Sequence, residues 1–301
     1  MQSDIKELLE RYPWLKITTT IEEYINPQYY NEILKDYIFE EKTDLEYFRN
    51  WIKEKDNIQP NILELGCGSG RVTDVLLEEQ KDYNNLTLLD LSKQMLKYCE
   101  TKYKNIKKIN YVNSDTIEYL KNTNEKYDIV YSLWSFSHSV HQILHQRGLE
   151  NGSKYVEIAI EKFIRENINK NGKFFLIHFD SLSDEQKILI QQWKKVYKTF
   201  ENNKIQSPSQ ILIHNLFEKL EKQSVINFSE KHYVGKEIIY SNVNEALEIF
   251  MNFHMESYFN ESKQVEQVIN ELTEYFKKYT YPDGTIRIKP GCFIYEVTKN
   301  E

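Results

Sequence analysis

Residues 61–70, with the sequence NILELGCGSG, decide the fold of this chain. The first five are mostly apolar and predict a short buried strand, and apolar residues at helical spacing over residues 71–79 predict a helix after it. The 301 residues include only nine glycines, yet Gly66, Gly68 and Gly70 fall close together here. Glycine tolerates left-handed backbone angles and lets a ligand approach the main chain. The stretch therefore predicts a glycine turn between a buried strand and a helix.

The alternation of strand and helix continues beyond this turn. Apolar and amphipathic patterns predict strands at 86–90, 109–113, 127–134 and 173–179 and helices at 92–103, 116–121 and 137–168. Two later patterns, a strand over 225–240 and a closing strand or hairpin over 285–297, complete the seven predicted strands. Such alternation predicts an α/β fold with a doubly wound, mostly parallel seven-stranded sheet. Ligands of such sheets bind at the carboxyl ends of the strands.

Additions to the sheet are expected at both ends of the chain. Residues 1–58 are rich in aromatic side chains, and their largely helical pattern predicts an N-terminal cap on the sheet. Residues 59–301 hold the sheet itself, with helical insertions in the C-terminal half at about 181–224 and 241–284.

Composition and charge limit the expected partners. The net charge is −7, and the 39 basic residues include only six arginines, whereas nucleic-acid readers concentrate Arg and Lys on one surface. Three cysteines without a CxxC pair are typical of a reducing compartment. The N-terminus lacks the apolar segment of an export signal, and no apolar run is long enough to cross a membrane. We therefore expect a cytoplasmic protein that binds neither nucleic acid nor membrane.

Acidic residues follow the next two predicted strands. Asp90 ends the second strand, 24 residues after Gly66, where a carboxylate can accept two hydrogen bonds from a ribose diol. Asp115 follows the third strand, where a carboxylate could accept from an adenine amine. The turn carries Arg71 where the dinucleotide fingerprint GxGxxG has its third glycine. These residues predict a nucleoside site that differs from an NAD site.

In these segments the chain resembles the class I S-adenosylmethionine-dependent methyltransferases. ILELGCGSG (62–70), LLDLS (88–92), NSDTIEYL (113–120) and YDIVYSLWSFSH (127–138) are similar to the first four motifs of that family. The resemblance implies S-adenosylmethionine as the cofactor. The cofactor-binding residues that it implies are Gly66 and Gly68 for the methionine part, Glu64 for its ammonium group, Asp90 for the ribose, Asp115 for the adenine amine, Leu91 and Met95 for the adenine ring, and Cys67, Ser114, Thr116 and Leu133 around them.

The fourth motif bears on the methyl acceptor. Residues 132–135 read SLWS, where methyltransferases acting on adenine or glutamine amino groups have NPPY, so the resemblance favours a small-molecule acceptor. A hydroxyl or protonated amine needs a base, and His138 follows the fourth strand at the edge where acceptors bind. We expect His138 to be the catalytic residue. The expected acceptor-binding residues are Tyr24, Tyr29, Tyr30, Trp134, His141 and His178.

These acceptor-side residues also have structural explanations. The tyrosines of the N-terminal segment would serve equally to pack the cap on the sheet, and His178 would serve as a hydrogen-bonded residue at a strand end. His138, His141 and His145 share one face of a helix, a spacing that can hold a metal. No cysteine or nearby carboxylate joins them, so no metal is expected.

Three other functions compete with small-molecule methyl transfer. An RNA or protein methyltransferase would use the same cofactor site, and the acidic charge counts against it. An NAD-dependent oxidoreductase is disfavoured by Arg71. A non-catalytic protein that binds S-adenosylmethionine for assembly would carry the same motifs, so the sequence does not exclude this function.

Overall fold

The computed structural model describes residues 2–15, 33–53, 59–195, 206–255 and 265–300. Its strands are β1 (Ile38–Phe39), β2 (Lys42–Thr43), β3 (Asn61–Leu65), β4 (Asn85–Asp90), β5 (Ile109–Asn113), β6 (Tyr127–Leu133), β7 (Ile168–Phe179), β8 (Ile226–Val234), β9 (Ile238–Tyr240), β10 (Ile286–Ile288) and β11 (Gly291–Lys299). Seven of them form a central sheet in the order β5-β4-β3-β6-β7-β11-β8. Neighbours from β5 to β7 are parallel, whereas β11 is antiparallel to both β7 and β8. The predicted mostly parallel seven-stranded sheet is confirmed.

Helices cover both faces of this sheet. They are α1 (Gln2–Arg11), α2 (Asp44–Lys53), α3 (Arg71–Glu79), α4 (Lys93–Lys102), α5 (Thr116–Asn122), α6 (Phe136–Arg147), α7 (Leu149–Lys162), α8 (Asp184–Trp193), α9 (Pro208–Lys222), α10 (Val243–Ile249) and α11 (Val265–Phe276). Short π-helical segments, Phe163–Asn167 and Phe250–His254, extend α7 and α10. The apolar sides of α2, α3, α4, α8, α10 and α11 share one core, and those of α5, α6, α7 and α9 share the other. The sheet is therefore doubly wound.

Several boundaries differ from the sequence-based expectation. The helical stretch expected over 137–168 is divided at Gly148, whose φ of 78° lies in the left-handed region that favours glycine. Strand β7 begins at Ile168, five residues before the predicted start at 173. The pattern over 285–297 becomes two strands in different sheets, since β10 pairs with β9 and β11 joins the central sheet. Pro290 separates them, and proline has no N–H to continue a ladder.

The N-terminal segment lies against two different parts of the molecule. Helix α1 meets the C-terminal insertion, where Arg11 pairs with Glu266 at 2.7 Å and Asn252 Nδ2 donates to the carbonyl of Trp14. The small β1–β2 hairpin leads into α2, which packs on the sheet through Phe48 and Trp51. The expected cap therefore contains strands as well as helices in its described part.

The C-terminal half carries the remaining helices between strands of the sheet. Along the chain, helices α8 and α9 follow β7 and precede β8. The paired strands β9 and β10, with helices α10 and α11, come between β8 and β11 in the sequence. All three cysteines are free and buried. Within the described residues, none of the helices combines the length and apolar character that a membrane crossing requires.

Candidate functional site

The glycine turn follows β3 at the carboxyl edge of the sheet. Gly66, Gly68 and Gly70 all have positive φ, at 74°, 50° and 76°. The N–H groups of Gly66 and Cys67 donate to the carbonyl of Leu89 at 2.8 and 3.0 Å, which fixes the turn to β4. A Cβ on Gly66 would lie 2.1 Å from Ser135 Oγ, whereas a Cβ on Gly68 would meet no atom within 4 Å. The backbone of Gly68 therefore borders open space.

Asp90 connects the glycine turn with the loop that follows β4. Its Oδ2 accepts from the Gly68 N–H and its Oδ1 from the Ser92 N–H, each at 2.8 Å. Burial raises the pKa of Asp90, and these N–H groups act against that rise. A carboxylate has about four lone-pair sites, so each oxygen can accept one more hydrogen bond. Two hydroxyls of a vicinal diol would supply them.

Asp115 begins α5 just beyond the end of β5. Its Oδ1 accepts from the N–H groups of Ile117 and Glu118, at 2.8 and 3.0 Å, and so caps the helix. Its Oδ2 is buried and makes no hydrogen bond. Burial raises the pKa of Asp115, while these N–H groups and the side chain of Ser139 act in the other direction. A buried acceptor without a partner is costly, and a ligand amine would satisfy it.

Glu64 is buried within β3 on the other side of the turn. Its Oε2 accepts from Thr73 Oγ1 at 2.6 Å and from Tyr131 Oη at 2.8 Å. Burial raises the pKa of Glu64 to about 8, although both hydroxyls lower it. The carboxyl group is therefore mostly protonated at neutral pH until a positive charge approaches it.

The other predicted cofactor residues lie around these carboxyl groups. Leu91 is half exposed after β4, and the buried Met95 lies in the first turn of α4, where its N–H is capped by Ser92 Oγ. The N–H of Ser114 donates to the carbonyl of Asp90 at 3.2 Å, which joins the loops after β4 and β5. The remaining three, Cys67, Thr116 and Leu133, have buried side chains.

A buried ion pair that the sequence analysis did not predict lies next to the glycine turn. Both carboxylate oxygens of the fully buried Asp44, at the start of α2, accept from the guanidinium of Arg71 at 2.5 and 2.7 Å. Trp134 Nε1 donates to the same carboxylate at 2.7 Å. The unusual Arg71 after the last glycine was its visible signal, but its partner lies 27 residues away in sequence.

Trp134 is therefore a core residue as well as a residue of the site's edge. It follows β6 with a φ of 71°, a conformation that costs a non-glycine residue energy and is found most often near functional sites. Its ring packs against Tyr37, Phe39 and Phe179. Only 2% of its surface is exposed, so the structure favours packing over direct acceptor contact for this side chain.

The structure brings three of the predicted histidines together beyond β6 and β7. His138 is exposed in the first turn of α6, with its ring edge-on to Phe179 at 6.3 Å. His178 is buried, with Nδ1 2.8 Å from the Phe179 carbonyl and Nε2 3.0 Å from Ser209 Oγ, and burial lowers its pKa to about 4. Burial lowers the pKa of His141, and so would protonation of the neighbouring His178 or His138. Only His138 of these three offers an exposed ring.

The remaining predictions concern the N-terminal tyrosines and the absence of a metal site. Tyr24, Tyr29 and Tyr30 lie outside the described residues. The described residues contain no group of three or more His, Cys, Asp or Glu side chains that could hold a metal ion. Asp180, after β7, pairs with His232 of β8 at 2.7 Å, a contact across the sheet that no local sequence pattern announces.

Comparison with known proteins places these residues in a recognised domain. Residues 62–156 match the family model described as a methyltransferase domain. The YcgJ protein from Bacillus subtilis has a similar fold, with a TM-score of 0.53, 11% identity, and coverage of 85% of this chain and 98% of that one. A putative methyltransferase from Bacillus halodurans gives a TM-score of 0.48 and 15% identity over 86% of this chain and 99% of that one. A plantazolicin methyltransferase in complex with SAH gives a TM-score of 0.41 and 14% identity, with coverage of 85% of this chain and 82% of that one. No curated protein matches the chain.

Proposed function

We propose that the protein, whose residues 62–156 match a methyltransferase domain, transfers the methyl group of S-adenosylmethionine to an oxygen or nitrogen nucleophile of a small molecule. The resemblance drawn from the four sequence motifs is confirmed for this domain. Two observations support the proposal: the Oδ2 of Asp115, which makes no hydrogen bond, and the open space at Gly68 both lie just beyond the ends of strands within the matched domain.

The residues present fit S-adenosylmethionine. The Asp90 carboxylate would hold the ribose diol, and Asp115 Oδ2 would accept from the adenine amine. Leu91 and Met95 would flank the adenine ring, with Ser114, Thr116, Cys67 and Leu133 around them. The methionine part would lie along Gly66 and Gly68, with its ammonium group towards Glu64.

The cofactor, when bound, supplies a methyl group on a positively charged sulfur that is already a good leaving group. The protein's own task is then to hold the nucleophile about 3 Å from that carbon and to exclude water. Asp44 and Arg71 fix the helix after the glycine turn, and Asp44 also holds Trp134 at the end of β6. The buried Asp44 carboxylate therefore contacts both Arg71, beside the proposed cofactor site, and Trp134, beside the proposed acceptor site.

On the acceptor side, His138 is our proposed base. Its ring is exposed next to the end of β6, so it can reach a hydroxyl or ammonium proton. His178 is neutral and already hydrogen-bonded, and His141 is partly buried. We propose that His141 and His178 pack beside His138 and help to hold it in position.

The acceptor class rests on charge and composition. The chain has a net charge of −7 and six arginines, which suits a small molecule better than a polyanionic RNA. The three free, buried cysteines support a reducing compartment such as the cytoplasm.

A labelling experiment distinguishes the candidate functions. Protein and methyl-labelled S-adenosylmethionine are incubated with a low-molecular-mass metabolite filtrate, total RNA or total protein. We expect label in the filtrate, reduced roughly 100-fold or more by His138→Ala. His145→Ala, on the same helix and exposed, is the matched control and should leave the label unchanged.

Each other outcome selects a different function. Label in RNA or protein would select a macromolecular methyltransferase. No label in any fraction, with S-adenosylhomocysteine still bound, would select a non-catalytic binding protein.

A further inference from the structure

Three polar side chains meet between the N-terminal segment and the C-terminal insertions. Glu185 lies in the first turn of α8, His254 ends the π-helical segment after α10, and Tyr37 precedes β1. All three are buried, and Glu185 and Tyr37 have no exposed surface. The sequence patterns singled out none of them.

Their contacts give the Glu185 carboxyl group hydrogen bonds but no Lys or Arg partner among the described residues. Glu185 Oε1 accepts from Tyr37 Oη, and Oε2 accepts from Gln186 Nε2 at 3.0 Å. His254 Nε2 lies 3.5 Å from Glu185 Oε1 and makes no hydrogen bond. Burial lowers the pKa of His254, although the charge of Glu185 acts the other way. Across the residues that the structure describes, no Lys or Arg forms an ion pair with Glu185.

Packing alone does not account for a glutamate at this position. A buried carboxylate without a cation destabilises a fold. Glutamine has the same shape and would still accept from Tyr37, without the charge. A ligand that brings a positive charge would explain why the site carries a carboxylate.

The cluster lies on the acceptor side of the proposed active site. The ring of Tyr37 meets Trp134 edge-on with centroids 5.8 Å apart, and Trp134 follows β6. Trp134 packs on Phe179 at 4.7 Å, and Phe179 also contacts the proposed base His138. The cluster and the base therefore meet the same group of aromatic rings.

Aromatic rings also line the cluster itself. Phe250 and Phe253 lie against His254, with ring centroids 4.7 and 4.9 Å away. The faces of such rings attract cations, and a dry surrounding strengthens that attraction. A carboxylate, a neutral imidazole and aromatic rings together suit an ammonium group.

We propose that Glu185, His254 and Tyr37 bind a protonated amine of the methyl acceptor. The inference rests on the proposed function and narrows the acceptor to a small cationic amine. The ammonium group donates one N–H to Glu185 and a second to Nε2 of His254, which accepts in the Nδ1-protonated form of the ring. Tyr37 holds the carboxylate in place through its own donation.

Saturation-transfer NMR on the protein saturated with S-adenosylhomocysteine tests the charge preference. The probes are n-propylammonium, 1-propanol and propionate, which share size and differ in charge. We expect a signal for n-propylammonium alone and its loss in Glu185→Gln. Glu271→Gln, which removes a carboxylate bonded to Gln192 of the same helix α8, should keep the signal.

The outcomes separate this inference from the proposed function. Failure of the protein to bind S-adenosylhomocysteine would contradict the function itself. Normal binding of S-adenosylhomocysteine with no n-propylammonium signal, or with a signal that survives Glu185→Gln, would overturn the amine site alone.

A second readout needs no ligand. If Glu185 is present for ligand binding, Glu185→Gln removes a buried charge and should raise Tm by about 2 to 4 °C. A lower Tm, or a variant that fails to fold, would give Glu185 a structural role and overturn the proposal.

Discussion

At the scale of single residues, the protonation state of Glu64 sets the charge beside the glycine turn, where the ligand is proposed to bind. Its carboxyl group is buried and accepts from Thr73 and Tyr131, and burial raises its pKa to about 8. In the free protein at neutral pH it therefore carries a proton. An ammonium group beside it favours the carboxylate, so the proton leaves when the ligand binds.

We expect the affinity for S-adenosylhomocysteine to rise with pH and to level off above about pH 8. Below the raised pKa the proton must be removed before the ammonium group is held, which weakens binding by up to about tenfold per pH unit. Calorimetry in buffers of different ionisation enthalpy should show about one proton released near pH 7. Glu64→Gln keeps an acceptor for both hydroxyls and should remove the pH dependence. A wild-type affinity that does not change with pH would separate Glu64 from the ligand's ammonium group.

At the scale of elements, α2 and α3 are joined at both ends by ion pairs of different kinds. Near the glycine turn, the buried Asp44 of α2 holds Arg71, the first residue of α3. Near the other end of α3, Arg49 of α2 pairs with Glu79, and this pair is only partly buried. The two pairs connect the same helices, and only the first lies next to the turn.

Asp44→Asn should lower stability and weaken the binding of S-adenosylhomocysteine together. It leaves the Arg71 guanidinium buried without its carboxylate, at a cost of about 3 to 5 kcal/mol, and loosens the helix that follows the turn. Chemical denaturation and calorimetry measure the two effects.

Arg49→Met is the matched control for that variant. A partly exposed ion pair contributes less than about 1 kcal/mol, and its removal away from the glycine turn should leave the affinity unchanged. Equal effects of Asp44→Asn and Arg49→Met on affinity would mean that the buried pair stabilises the helices without positioning the turn.

For the whole molecule, local patterns were enough to predict the parallel strands of the sheet and the helices that follow the first three of them. The predicted helix over 71–79 is α3, and the predicted strand over 109–113 is β5, because apolar spacing and glycine placement are local properties. The positions of Asp90 and Asp115 at strand ends also follow from the parallel topology.

The contacts across the sheet could not be predicted in this way. Asp44 with Arg71, Asp180 with His232, and Glu185 with His254 join residues that are far apart in the sequence. Each pair depends on how layers stack around the sheet, which periodicity does not encode. The same limit applies to Trp134, which was expected to contact the acceptor and whose indole is bound to Asp44.

The central claim is that the glycine turn holds S-adenosylmethionine, and Gly68 allows a direct test of it. Gly68 and Gly284 both have positive φ, at 50° and 84°, and a Cβ on either would meet no atom within 4 Å. Alanine at either position should therefore cost similar backbone strain, about 1 to 2 kcal/mol. Only at Gly68 would the new methyl group occupy the space proposed for the ligand.

The measurement is calorimetric titration of S-adenosylhomocysteine into the wild-type protein, Gly68→Ala and Gly284→Ala, with NADH as the competing ligand. We predict that the wild type and Gly284→Ala bind S-adenosylhomocysteine equally, that Gly68→Ala binds it at least about tenfold more weakly, and that none of them binds NADH. Wild-type protein that does not bind S-adenosylhomocysteine, or a Gly68→Ala variant that binds it as tightly as Gly284→Ala does, would contradict the account.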